Sequence, residues 1–255
     1  MIVIHAKAGN PPWHQWYREA FLEGFAQHPV GKVTVSTEDH ADSNYDDVHI
    51  VFGPNYWPNV TTTAKRWISV NRCFFGPVAE WVALGWNGFN GGARFPDIRR
   101  MTMNQVYARK EKWGHLLPKK TWTGEGGYKI LIGEYPSTQI DPAELRRFYE
   151  GARNSQALGS TKLIYRPHPQ AAMPEYLNLM VSASADPDKA ELVYTFASTF
   201  GVECRLRGVP TKAHPNSVAA AFPFYQREFV EHVLFAQWHI EEVKKGLFWE
   251  FLRDA

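Results

Sequence analysis

Two short runs carry residue types suited to an anionic ligand. The first is Thr195-Phe196-Ala197-Ser198-Thr199-Phe200-Gly201-Val202-Glu203, followed by Gly208-Val209-Pro210. An apolar strand ends there in small hydroxyl residues and a helix starts at once. Amide N–H groups, the Ser198 and Thr199 hydroxyls and the helix dipole can then all face a phosphate. Glu203, about one turn further on, can accept both hydroxyls of a ribose. The alternative is an ordinary N-cap by Ser198 with Glu203 as a first-turn acid. The second run is Tyr165-Arg166-Pro167-His168-Pro169. The Arg166 fork matches phosphate oxygens, His168 can donate to the same group, and two prolines stiffen the turn. A purely structural turn is the alternative.

These runs need a scaffold. Residues 162–165 and 192–195 are near-continuous apolar strands of the sort buried in parallel sheets, and ligands of open α/β sheets lie beyond the carboxyl ends of such strands. Residues 129–133 form another strand, and Asp141 as N-cap with Pro142 behind it opens a helix. In the first half, strands are expected at residues 2–5, 32–37, 48–53 and 66–71. A helix is expected at 13–27, where Trp16, Ala20, Phe21 and Phe25 recur at helical spacing. Residues 73–96 break into Gly, Asn and aromatics, above all Gly85-Trp86-Asn87-Gly88-Phe89-Asn90-Gly91-Gly92. They read as a functional loop with Trp86, Asn87 and Asn90 as acceptor contacts, or else as a long ordered connection. Residues 118–127 read as a linker, which gives domains 1–120 and 121–255. A last long helix at 225–252 can fold back over the first domain.

Composition narrows the class. The 44% apolar and 21% charged residues permit a packed core, and the 15% aromatic share offers rings for a flat or sugar-like ligand. Only Cys73 and Cys204 are present, without a CxxC pair, so a reducing, cytoplasmic setting is expected. No apolar run approaches a membrane span and the amino terminus opens on a strand without a basic leader, so the expected protein is soluble and unprocessed. The net charge of +2 is unevenly spread: residues 61–120 hold eleven Lys or Arg against three Asp or Glu, a local balance of +8. That segment, including Arg99 and Arg100, is either a solvated basic face or a surface for a polyanionic acceptor. Asp186-Pro187-Asp188 has the spacing of a metal-binding DxD but reads as a turn. GxGxxG is absent, which lowers the case for a dehydrogenase.

Arg166-Pro167-His168-Pro169, taken with Ser198 to Glu203 and Gly208-Val209-Pro210, resembles the donor half of GT-B glycosyltransferases. The similarity is to bacterial capsule polysaccharide glycosyltransferases and to small phage DNA glycosyltransferases acting on hydroxymethylpyrimidines, and it spans residues 129–215. The resemblance implies an α/β fold of two Rossmann-like domains facing a cleft, with the C-terminal helix crossing back. It implies a nucleoside diphosphate sugar, expected to be a UDP-sugar, held mainly by the second domain, and no obligatory metal or cofactor. By position, Arg166 and His168 would face the diphosphate, Ser198 and Thr199 the phosphates, and Glu203 the ribose. The loop Gly133-Glu134-Tyr135-Pro136 resembles the first, donor-facing loop of that domain. The chain is shorter than most members of that fold.

The first domain would then supply the acceptor site and, in an inverting reaction, a base. His14 is the candidate because it follows the first strand's loop and a neutral imidazole has a suitable pKa, with Asp97 and Asp42 as competitors. The expected reaction is sugar transfer to a hydroxyl, with Arg166, His168 and the Ser198 helix start stabilising the departing diphosphate. The acceptor expected from the basic, aromatic segment is a hydroxymethylated base in phage DNA. A capsule or other glycan, a non-catalytic nucleotide-sugar or nucleic-acid binding module, and a nucleotide-sugar epimerase are the alternatives.

Overall fold

The apolar run Ile2–His5 forms β1, buried along its whole length. The computed structural model describes residues 1–6, 12–41, 47–53, 56–77, 79–88, 90–135, 140–157, 161–221 and 226–253. After β1 come α1 (Pro12–Phe25), β2 (Val33–Ser36), β3 (Val48–Phe52), α2 (Pro58–Thr63), β4 (Trp67–Arg72), β5 (Trp81–Trp86) and α3 (Met103–Trp113). Then follow β6 (Tyr128–Ile132), α4 (Pro142–Ala157), β7 (Lys162–Arg166), β8 (Met180–Val181), β9 (Leu192–Thr195), α5 (Thr199–Leu206) and β10 (Thr211–Ala213). The chain ends on α6 (Val218–Ala221), α7 (Gln226–Ala236), β11 (Gln237–His239), α8 (Ile240–Lys244) and α9 (Leu247–Leu252).

Two units result, Met1–Phe89 with Ala93–Leu116 and Glu231–Ala255, and Asn90–Gly92 with Leu117–Val230. The first break lies close to the expected boundary at 120. The second places the last 25 residues with the first unit. Each unit is a Rossmann-like α/β sheet.

The first sheet runs β11-β5-β4-β3-β1-β2, with β1 to β4 parallel, β5 antiparallel to β4 and β11 antiparallel to β5. Ile2, Ile4, Ile50, Phe52, Ile68 and Val70 point to one face and meet Tyr17, Ala20, Phe21 and Phe25 of α1. The buried stripe of α1 includes Tyr17, whereas Trp16 is 48% exposed, one residue out of phase with the expectation. Phe248 and Leu252 complete this core, and a Cβ on Gly24 would strike the Val243 carbonyl, so α1 and α8 lie backbone to backbone.

The expected single helix at 225–252 is thus broken. Trp238 and the Gln237 side chain are required at the sheet edge, where Gln237 Oε1 accepts from Phe74 N and Phe75 N at 2.9 and 3.2 Å and its Nε2 donates to Phe75 O at 3.0 Å. Nor are residues 73–96 a loop throughout, because β5 within them is buried at all six positions. Gly85 belongs to that strand for packing: a Cβ there would lie 2.7 Å from Ala93 Cβ.

The second sheet, β10-β9-β6-β7-β8, is parallel throughout. Alternate residues of its strands serve opposite faces. Leu131, Leu163, Tyr165 and Tyr194 pack with Tyr149 and Ala152 of α4, while Ile130, Ile132 and Val193 pack with Cys204 of α5 and Val209. Asp141 caps α4, its Oδ1 accepting from Ala143 N at 2.9 Å, as expected. Asp186-Pro187-Asp188 is a capped 3-10 turn in which Asp186 accepts from Asp188 N at 3.0 Å. Both cysteines are buried free thiols. Among the described residues no helix is long and apolar enough to cross a membrane.

Candidate functional site

In the second sheet the chain leaves β6 toward β7 on one side, whereas β9 and β10 lie on the other, so the strand order reverses between β6 and β9. A crevice at such a switch point, outside the carboxyl ends, is where open α/β sheets take ligands. Three expected site segments converge there. Gly133 N donates to Arg166 O at 2.8 Å, tying the end of β6 to the end of β7. A Cβ on Gly133 would strike the Tyr165 hydroxyl and come within 2.9 Å of His168 N, so only glycine lets these two loops lie so close.

Arg166 is half-buried, with its guanidinium carbon 3.9 Å from the centroid of the Phe200 ring. Its Nε is buried without an acceptor, and no carboxylate among the described residues pairs with it. A cation held over an aromatic face with donors left over is poised for an anion. His168 Nδ1 accepts from Gln170 N at 3.1 Å, which leaves the proton on Nε2 free to donate to a ligand. The exposed Tyr135 ring lies 5.4 Å from the His168 ring. Pro136, from the same expected loop, lies outside the described residues.

The helix start after β9 departs from expectation. Its amides do not face open space: Glu134 Oε1 accepts from Phe196 N at 3.2 Å and from Ala197 N and Ser198 N at 2.9 Å each. Glu134 N is in turn held by the Tyr149 hydroxyl at 2.8 Å. Burial pushes the Glu134 carboxyl up to about 7 against the opposing pull of the three amides. Ser198 Oγ caps α5 by accepting from Phe200 N at 3.3 Å, so the ordinary-cap alternative describes it, while Thr199 is exposed. Glu203, also on α5, is ion-paired with Arg207 at 3.4 Å, and Arg207 with Asp188 at 3.3 Å.

The first sheet has its own switch point between β1 and β3. His14 lies in the first turn of α1, 3% exposed, with its ring 5.3 Å from Phe52 at the end of β3. Its Nδ1 is buried without a partner, and burial lowers its pKa to about 4, so the ring is neutral near pH 7. Asp97 caps a 3-10 turn and pairs with Arg99 at 2.8 Å, which holds its carboxyl down to about 2. Asp42 lies outside the described residues.

Of the acceptor contacts expected in residues 85–92, Trp86 and Asn87 are engaged within their own unit. Trp86 is 2% exposed and its Nε1 donates to Leu252 O at 2.6 Å, so its ring belongs to the core. Asn87, at φ 48°, accepts from Trp67 N at 2.8 Å and donates to Lys65 O at 3.1 Å, closing a turn. Gly91 N donates to Asn216 O at 3.0 Å, and a Cβ there would strike Ser217 O, so this glycine serves close backbone packing. The side chains of Asn90 and Arg100 lie outside the described residues. The basic segment is also partly neutralised within its own unit, since Arg109 is buried against Glu242 at 2.8 Å and Lys110 meets Glu231 at 3.9 Å.

Two residues of the site escaped the sequence reading. Phe200 was visible as a helix residue, but nothing in its spacing marked it as the ring under Arg166. Tyr149 holds Glu134 from fifteen residues away. An apolar helix face containing a hydroxyl was the only signal available.

No family model matches the chain, and no curated protein does. Solved structures do match its fold. A chain titled Thermosulfurimonas dismutans KpsC, beta Kdo 2,7 transferase, has a TM-score of 0.56 and 14% identity over 97% of this chain and 98% of that one. A second, titled Thermosulfurimonas dismutans KpsC, beta Kdo 2,4 transferase, has a TM-score of 0.56 and 12% identity over 97% of each chain. At these identities the likeness establishes a shared, GT-B-like fold of two Rossmann-like units.

Proposed function

We propose that the chain is a glycosyltransferase that takes a nucleotide-activated sugar in its second unit and transfers the sugar to a hydroxyl. The observation that carries this reading is Arg166: a half-buried guanidinium at the switch-point edge of a parallel sheet, seated on Phe200, with no carboxylate partner among the described residues. With His168 beside it, it would hold the donor's phosphate and stabilise the charge that develops as the nucleotide departs. The titles of the two matched structures, both sugar transferases, support the same reaction class. His14, neutral near pH 7, is the group proposed to take the acceptor's proton.

A glycan hydroxyl is the acceptor we put first. Of the residues expected to meet DNA, Trp86 lies in the core and Arg99 pairs with Asp97, while Arg109 of the same basic segment is buried against Glu242. Hydroxymethylated DNA stays the second reading because the balance of +8 over residues 61–120 is only partly neutralised.

The test is a thermal-shift screen of nucleotide sugars, UDP-sugars included, followed by mass spectrometry of oligosaccharide and hydroxymethylated DNA acceptors. A ligand that binds only the folded state raises the melting temperature. A donor that stabilises the wild type but not Arg166→Ala, with a hexose- or Kdo-sized mass gain on one acceptor, supports the proposal. An altered sugar without acceptor would mean an epimerase, and stable complexes without released nucleotide a binding module. Transfer to DNA that weakens steeply with salt would restore the DNA reading.

A further inference from the structure

Three consecutive amide N–H groups before a helix make a concave site that takes an anion, commonly a phosphate oxygen. Here Phe196, Ala197 and Ser198 form that concavity and Glu134 Oε1 fills it with three hydrogen bonds of 2.9–3.2 Å. The carboxylate arrives from the other side of the switch point, on the loop after β6, and is held by Tyr149 and by the tight seat of Gly133. Arg166 ends the neighbouring strand, yet it forms no ion pair with Glu134 among the described residues. The Glu134 oxygen is directed at the amides, and the guanidinium stays on Phe200.

We propose that the Glu134 carboxyl is an internal plug that closes the α5 start to phosphate and so positions the donor site, leaving the donor's phosphate to Arg166 and His168. The consequence for the donor rests on the glycosyltransferase reading, but occupancy of the amide site does not. Glu134 is thus a positioning residue: it fixes the β9–α5 turn that carries Phe200, the seat of Arg166, and it denies a bound phosphate a second place to settle.

The experiment uses the full chain with inorganic phosphate as probe, by isothermal titration calorimetry. Phosphate binding to Arg166→Ala is expected to be weak. Adding Glu134→Ala uncovers three amides and is expected to tighten it about tenfold or more. Adding Glu134→Gln, whose amide oxygen can still accept from the amides, is expected to give no gain. A merely structural Glu134 would produce no tighter anion binding in any variant. A folded Arg166→Ala/Glu134→Ala protein with no gain over Arg166→Ala overturns the inference. Both proteins lack Arg166, so this outcome is independent of the donor reading, which is judged by nucleotide-sugar binding of Arg166→Ala against wild type. Should the double variant fail to fold, a pH titration of the wild type by NMR decides. The amide signals of Phe196, Ala197 and Ser198 should move together with the Glu134 carboxyl carbon, and their moving independently of it overturns the inference.

Discussion

The Arg166 guanidinium carbon stands 3.9 Å from the Phe200 ring centroid, on a helix start that a carboxylate, Glu134, already occupies. The ring supports the cation from one side without satisfying the N–H groups of its terminal nitrogens, which are the ones left to a ligand. Lys cannot reproduce the planar fork. Arg166→Lys should therefore weaken donor binding about tenfold or more, and Phe200→Leu should cost about 0.5–2 kcal/mol of the same affinity through the lost ring face. Calorimetry with the donor found by screening measures both. A Lys variant that binds as wild type would show that charge alone is used.

Gly133→Ala is expected to damage the site without adding or removing a charge. The new Cβ would collide with the Tyr165 hydroxyl and crowd His168 N, which is backbone and cannot swing aside. The loop carrying Arg166 and His168 must shift, at a stability cost of about 1–3 kcal/mol. Donor affinity should fall further than that destabilisation alone would cause, because a displacement of about 1 Å at a binding group is costly. Urea unfolding gives the first quantity and calorimetry the second.

Arg109 belongs to the frame of the first unit. Its Nη1 meets Glu242 Oε1 at 2.8 Å, its Nε donates to Leu234 O at 2.8 Å, and its Nη2 donates to Gln237 O. The guanidinium also lies 4.1 Å from the Trp238 ring centroid. Arg109→Met leaves Glu242 buried without its cation and should cost about 3–5 kcal/mol in urea unfolding. Arg109→Met with Glu242→Leu should recover much of that loss, because the stranded charge is gone. A double variant as unstable as the single one would assign the cost to the carbonyl contacts instead.

The sequence disclosed what depends on short-range pattern. β1, β3, β6, β7 and β9 were readable as apolar runs, and Arg166 and Ser198 as the ends of two strands of one sheet. β5 was not, because Gly85, Trp86 and Asn87 look like a loop, although Gly85 is there to admit Ala93 and Trp86 to fill the core. The break at β11 depends on Gln237 bonding Phe74 and Phe75 from more than 160 residues away. The same holds for Glu134. Its loop was recognisable, but only the fold brings the carboxylate onto amides 62 to 64 residues downstream.

A change of pH pulls stability in opposite directions in the two units. Burial raises the Glu134 carboxyl from 4.5 to about 7, so the folded state holds its proton more tightly than the unfolded chain. The stability this contributes is complete below about 4.5 and is lost as pH rises through about 7. Relative to Glu134→Gln, which cannot titrate, the wild type should lose about 3 kcal/mol across that window. His5 and His14 behave in the reverse sense. Burial lowers each from 6.5 to about 4, with the neighbouring His49 adding to the effect on His5. Their contribution is present above 6.5 and disappears as pH falls through about 4, when the unfolded chain accepts protons that the folded state resists. Urea midpoints of wild type, Glu134→Gln and His14→Gln from pH 4 to 8 separate the two effects. Glu134→Gln should track the wild type at low pH and exceed it near pH 8, whereas His14→Gln should lose less stability than the wild type on acidification. Parallel curves for wild type and Glu134→Gln would mean that the three amides, rather than burial, set the charge of this carboxylate and hold it ionised throughout.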